Sequence, residues 1–169
     1  DEAAFHAMAE KLVPLAQQNR ARWDQLLIRR GFAALARVEA LSGSGGPFAL
    51  QAQLAACHAR ARRAQDTDWR RIAALYDALR QVMPSPVVEL NRAVAHSMAF
   101  GPEAGLEMVE GIVKAQALPD YAPLPAAKGD FLFRAGRVAE ARAQFEQAAS
   151  LTGNEREKAF LLGRAAACG

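Results

Sequence analysis

The sequence predicts an all-α protein of about eight or nine helices, paired as antiparallel hairpins that stack on one another. Three observations predict it. Alanine and arginine are abundant and β-branched residues scarce, which favours helix over strand. Apolar residues fall on helical stripes separated by turns rich in glycine and proline. In AAKGDFLFRAGRVAEARAQFEQA, residues 126–148, Gly129, Gly136, Ala141, Phe145 and Ala148 mark a helix, a turn and a returning helix. Small residues let such helices approach closely, and Phe145 fills the gap to the next pair. A lone hairpin cannot bury its apolar face, so the chain on its N-terminal side should supply neighbours.

The offsets of this stretch resemble those of a tetratricopeptide (TPR) repeat, which implies a TPR-like right-handed superhelix. The other elements follow in order. Residues 2–18 are helix-prone, with Phe5, Met8, Leu12 and Leu15 on one stripe and Pro14 bending or breaking it. Residues 20–41 put Trp23, Leu26, Leu27, Phe32, Leu35 and Val38 on an apolar face, so 1–42 reads as a pair of N-terminal helices. The run SGSGGP, residues 42–47, ends that helix and starts the next.

A hairpin over 48–84 follows. Its first helix turns Leu50, Leu54, Cys57, His58 and Ala61 inward. Asp66, Thr67 or Asp68 can cap the second, which presents Trp69, Ile72, Leu75, Tyr76 and Leu79 and stops at Pro84 and Pro86. Tyr76 and Pro84 stand eight apart, as the aromatic and terminal proline of a TPR do. In the hairpin over 86–115, Val87, Leu90, Val94 and Met98 line one side, Gly101 makes the turn, and Ala104, Met108, Gly111 and Ile112 return. Its spacing departs by a few residues from that of the hairpin over 121–151, so the repeats are degenerate. A proline-rich connector joins the two. A capping helix over 154–167, started by Asn154, should close the stack with Ala159, Leu162 and Ala166.

With 169 residues, the chain has room for one core, and a domain of this size buries roughly 70% of its unfolded surface. A single helical-repeat domain over 1–169 is therefore expected. Cys57 and Cys168 lie far apart and lack CxxC partners, which argues for a reducing cytoplasm rather than a disulfide framework. No apolar run approaches the ~20 residues of a membrane span. A chain that opens at Asp1 without methionine reads as a fragment of a longer one. Residues 1–85 carry 12 Lys and Arg against 8 Asp and Glu, while 86–169 carry 9 against 10. A basic half can attract nucleic acid or an acidic protein face, but arginines interleaved with alanine and aspartate also suit ordinary solvated helix faces.

The pattern excludes most chemistry. His6, His58 and His96 have no metal-ligand spacing, and Cys57 and His58, adjacent on a helix, point about 100° apart. No phosphate loop, nucleophile elbow or carboxylate pair stands out, so neither an enzyme nor a cofactor is expected. Trp23 and Trp69 are flanked by arginines, in RARWD and DTDWRR, yet both also fall on apolar stripes, which favours burial over base stacking. Asn91 and Arg92 are polar in an apolar stretch. They could hold a peptide on a concave face or bridge to another hairpin.

Five segments in order, RWDQLLIRRG at 22–31, GPFALQAQLAACHARA at 46–61, DTDWRRIAALYDAL at 66–79, SPVVELNRAVAHSMAFGPEAGL at 85–106 and GRVAEARAQFEQAASLTGNEREKAFLLGRAA at 136–166, carry a further resemblance. Together they resemble the C-terminal extension of those extracytoplasmic-function (ECF) RNA polymerase sigma factors that bear TPR-like repeats. The resemblance covers roughly residues 12–167; residues 1–10 stand outside it. It implies a bacterial transcription-regulating domain whose promoter-reading regions two and four lie N-terminal to Asp1, so this fragment should not contact promoter DNA itself. The implied partners are those sigma regions, the RNA polymerase core or an effector, and an exposed concave apolar face would also allow a homodimer. Trp23, Asp24, His58, Asp68, Trp69, Tyr76, Asn91 and Arg92 are the family-pattern positions. A free-standing TPR scaffold that grips a peptide in its groove is the alternative.

Overall fold

The computed structural model describes residues 18–42 and 46–169; the helix expected over 2–18 lies outside the described residues except for Gln18. Among the described residues are eight α-helices, two short 3-10 turns and no strand. They fall into two compact units, one ending at Asp68 and one running from Trp69 to Gly169. The hairpin expected over 48–84 straddles that boundary, and each half belongs to its own unit.

In the first unit a 3-10 turn, Arg20–Arg22, leads into α1, Gln25–Ser42, and α2, Pro47–Arg60. Asn19 caps the turn by accepting the Ala21 N–H at 3.1 Å. Asp24 starts α1, its Oδ1 accepting from the Leu26 and Leu27 amides at 2.9 and 3.0 Å. Pro47 occupies the first turn of α2, where its missing N–H costs nothing. On α2 the expected inward residues Leu50, Leu54, Cys57 and Ala61 are buried, joined by Ala56, while His58 is half-buried.

The expected face of α1 holds only in part. Leu35 is buried and Phe32 half-buried, but Leu26, Leu27 and Val38 are exposed. Ile28, Phe32 and Leu35 instead face Ala52, Ala56 and Ala59 across a shallow groove. Those alanines are too small to engage a wider face. Trp23 precedes α1 in extended backbone rather than sitting on its stripe.

In the second unit α3, Trp69–Val82, α4, Pro86–Phe100, α5, Pro102–Lys114, α6, Pro123–Arg134, α7, Val138–Leu151, and α8, Glu155–Ala166, each pack on the next, and α4 also meets α6. Proline opens α4, α5 and α6. Ser85 caps α4 by accepting the Val88 N–H at 3.1 Å, and Asn154 caps α8, as the sequence predicts. Gly101 and Gly136 turn the chain at positive φ, 110° and 78°. Around Gly136 the helix closes by the bonds Gly136 N–H to Phe133 O and Arg137 N–H to Leu132 O. The same pair of bonds closes α5 around Gln116, a non-glycine held at φ 50°.

The core of this unit centres on Val109, Phe131, Leu132 and Phe145, all nearly inaccessible. Ala93, Gly129 and Ala165, on α4, α6 and α8, stand at successive intervals of 36 residues, and Gly105 and Ala141, Val109 and Phe145, and Ile112 and Ala148 share that interval. The repeat is more regular than the glycine turns imply. Pro102 starts α5 directly after Gly101, shortening that turn by one residue, and Gly105 rather than Ala104 is the counterpart of Ala141.

Two expected faces are corrected. On α4, Val87 and Met98 are exposed and Val94 half-buried, while Val88, Leu90, Ala93, Ala95 and Ser97 point inward. On α8 the inward residues are Leu161 and Ala165, with Cys168 beyond the helix, and Ala159, Leu162 and Ala166 are exposed. Both helices are apolar on two sides. Which side is buried is set by contacts along α3, α5, α6 and α7, not by hydropathy.

Candidate interaction surface

Two polar clusters link the helices of the second unit. The first joins α3 to α4. Arg92 Nε donates to Asp77 Oδ1 at 2.5 Å and its Nη1 donates to Glu89 Oε2 at 3.3 Å. Arg80 Nε reaches the other Glu89 oxygen at 2.6 Å, and His96 Nε2 stands 3.0 Å from Asp77 Oδ1. Burial pushes the Asp77 carboxyl up, but the hydrogen bonds from Arg92 and His96 outweigh it and leave the group below the usual carboxylate range.

The second cluster runs across α4, α6 and α8, the first helices of successive pairs. Arg134 donates from Nη1 to Ser97 Oγ and from Nη2 to Ser97 O, both at 2.8 Å. One turn back on α6, Asp130 accepts from Arg164 Nη2 at 2.9 Å. Asp130 and Arg134 are themselves 3.7 Å apart. Ser97, Arg134, Asp130 and Arg164 therefore form one continuous row across three helices. Fixed this way, charged side chains lose little further freedom when a partner arrives.

Exposed apolar groups frame the row. Met98 and Phe100 stand at the end of α4 and Phe133 near the end of α6. Arg70 lies over the Phe100 ring at 5.5 Å, and Arg164 over Phe133 and Phe145 at 5.5 and 4.7 Å. Away from it, Ile112, Leu118, Pro119, Leu124, Pro125 and Lys128 border a cleft of about 510 Å³. Among the described residues no cluster of His, Cys, Asp and Glu is arranged to hold a metal ion, and no helix is long and apolar enough to cross a membrane.

The family-pattern positions scatter. In the first unit Trp23 is half-buried, Asp24 is a helix cap, His58 is half-buried and Asp68 exposed. Burial lowers the His58 imidazole, and the Arg20 charge lowers it further. In the second, Trp69 and Tyr76 are half-buried on α3, and burial pushes the Tyr76 phenol up. Asn91 and Arg92 diverge. Neighbours on a helix point about 100° apart, so Arg92 turns to Asp77 and Glu89 while Asn91 faces solvent.

Ser97, Asp130, Arg134 and Arg164 were not singled out from the sequence. The four-residue step from Asp130 to Arg134 was the one local sign of an ion pair there. Arg20, buried in the first unit, was missed as well.

Comparison with known proteins adds one relative. An uncharacterized protein of Rhizobium meliloti (strain 1021) is 41% identical over 150 residues, which is 89% of this chain and 35% of that protein. The chain thus spans about a third of the length of the curated relative it matches. No family model and no solved structure matches it.

Proposed function

We propose that the chain is a regulatory protein-interaction domain of a bacterial ECF sigma factor, modulating transcription initiation through contacts with sigma regions two and four, the polymerase core or an effector. The observation that carries the interaction reading is the row Ser97, Arg134, Asp130 and Arg164 across α4, α6 and α8, framed by Met98, Phe100 and Phe133. Arginines held in place beside exposed aromatic and methionine side chains are what protein interfaces concentrate. The sigma reading comes from the five collinear segments, and the greater length of the Rhizobium relative leaves room for promoter-reading modules.

The test is transcription by core polymerase with the full gene product, against a product ending before Asp1 and against a Met98→Asp, Phe133→Asp double variant. The double variant should reproduce the loss of regulation seen on truncation. Equal activity and equal regulation in all three would overturn the proposal. A coding sequence without sigma regions two and four upstream of Asp1 would favour the peptide-gripping scaffold instead.

A further inference from the structure

Leu118, in the turn between α5 and α6, is held at φ 143°, and Pro119 follows it. Residues with a Cβ rarely adopt positive φ, and a proline pushes the residue before it toward extended backbone at negative φ. The closure of α5 accounts for Gln116 at 50° but not for Leu118, whose carbonyl accepts the Tyr121 N–H at a long 3.4 Å. A strained residue persists where its surroundings hold it, and such residues cluster at sites that clamp a ligand. Among the described residues Gln116 and Leu118 are the only non-glycines at positive φ, and both line one cleft.

That cleft, of about 510 Å³, lies among α5, α6 and α7 and is large enough for a small molecule. Ile112 and Leu124 belong to the buried core and line the cleft as well. Pro119, Pro125 and the locked Leu118 give it walls that move little, so little freedom remains to be lost when the space is filled. One repeat earlier, Glu89, Met108 and Gly111 stand 36 residues before Pro125, Gln144 and Gln147 and line a second cleft of about 450 Å³. Glu89 brings a carboxylate there, tied to Arg80 and Arg92. Pro125 takes its place in the larger cleft, where Lys128 is the only charged residue among the described ones lining it. The Lys128 charge acts on Glu140, whose carboxyl Arg137 already holds below the usual carboxylate range.

We propose that the larger cleft binds a neutral, largely apolar small molecule, its body against Ile112, Leu124 and the two prolines, and that the strained Leu118 walls it in. The lining sets this chemistry, being apolar around a space without an acid. The site is separate from the row of Ser97, Arg134, Asp130 and Arg164, and it stands whichever proteins that row touches.

The full chain is titrated with N-phenyl-1-naphthylamine, a neutral dye that brightens in apolar surroundings, and with its sulfonated counterpart 8-anilinonaphthalene-1-sulfonate. The expected result is a saturable, one-site response to the neutral dye at micromolar concentration and a response to the sulfonate about tenfold weaker. Val113 lines the cleft and is 45% exposed, so Val113→Glu leaves the fold intact while setting a charge in the wall. It should weaken the neutral dye about tenfold. Leu118→Gly, which removes the wall and frees the backbone, should weaken it about fivefold in a chain whose circular dichroism is unchanged. Phe48→Ser, which removes a ring 84% exposed in the first unit, should change nothing. A rise that never saturates, tighter binding of the sulfonate, unchanged affinity in Val113→Glu or in Leu118→Gly, or loss in Phe48→Ser would overturn the proposal.

Discussion

Gly129 on α6 lies so close to Phe145 on α7 that a methyl group on its Cα would stand 2.9 Å from the ring. Gly105 on α5 is tighter still, with such a methyl 2.6 Å from Ser97 Cβ and 2.8 Å from the Phe131 ring. Alanine is the better helix former by about 1 kcal/mol, but overpacking here should cost about 1–3 kcal/mol. Gly105→Ala is therefore expected to lower the urea midpoint, and Gly129→Ala to do so as well. Gly111, expected on the packed face of α5, is instead exposed, and a methyl on its Cα would meet nothing within 4 Å. Gly111→Ala should stabilise the fold by about 0.5–1 kcal/mol, read as a higher midpoint. A Gly105→Ala protein as stable as the parent would show that these helices can part without penalty.

Gln116 closes α5 in a left-handed conformation that glycine adopts freely. Gln116→Gly should stabilise the chain by about 1 kcal/mol, seen as a higher thermal midpoint. The opposite substitution at the equivalent turn, Gly136→Gln, should lower it by a similar amount.

Arg134 donates both a side-chain and a main-chain hydrogen bond to Ser97, which is fully buried. Arg134→Met, which keeps the aliphatic stem, should cost about 1.5–3 kcal/mol because charge-assisted bonds are lost. Ser97→Ala should cost less, since the carbonyl bond survives. A double-mutant cycle on urea unfolding measures the coupling, and additive losses would mean the two residues do not act together.

Stability should depend on pH in two windows. His58 has a lowered pKa, so the unfolded chain takes up its proton first, and stability present above about pH 6.5 falls as pH drops through the folded value. Asp77 is also lowered, so its contribution, present above about pH 4, is lost on further acidification. Its side chain is 46% exposed, which limits that contribution to about 1 kcal/mol or less. Urea unfolding from pH 3 to 8 checks both: His58→Gln should flatten the upper window and Asp77→Asn the lower.

Helix starts and turns were largely legible in the sequence because they rest on local chemistry. Asn154, Pro86, Pro102 and the glycines at 101 and 136 act within a few residues of themselves. The small residues Gly129 and Ala141 are legible for a related reason, their spacing being fixed by one hairpin, whereas the Phe145 ring, expected in the gap to the next pair, packs on Gly129 of its own hairpin. Faces were less legible. On α4 both the Val87 and Met98 side and the Val88 and Ala95 side are apolar, and only the neighbouring helices decide between them. The candidate surface was the least legible part. Ser97 and Arg134 are 37 residues apart, and nothing near either one names the other.

Equal spacing of Ala93, Gly129 and Ala165 makes length a quantity that this protein can change in steps. An in-frame copy of residues 119–154 inserted after Asn154 would add another pair of helices and leave every small residue opposite a bulky one. Insertions of other sizes within α6 or α7 would rotate the seam out of register. Duplication in whole units is thus a route by which the laced face could be widened without redesigning any single helix.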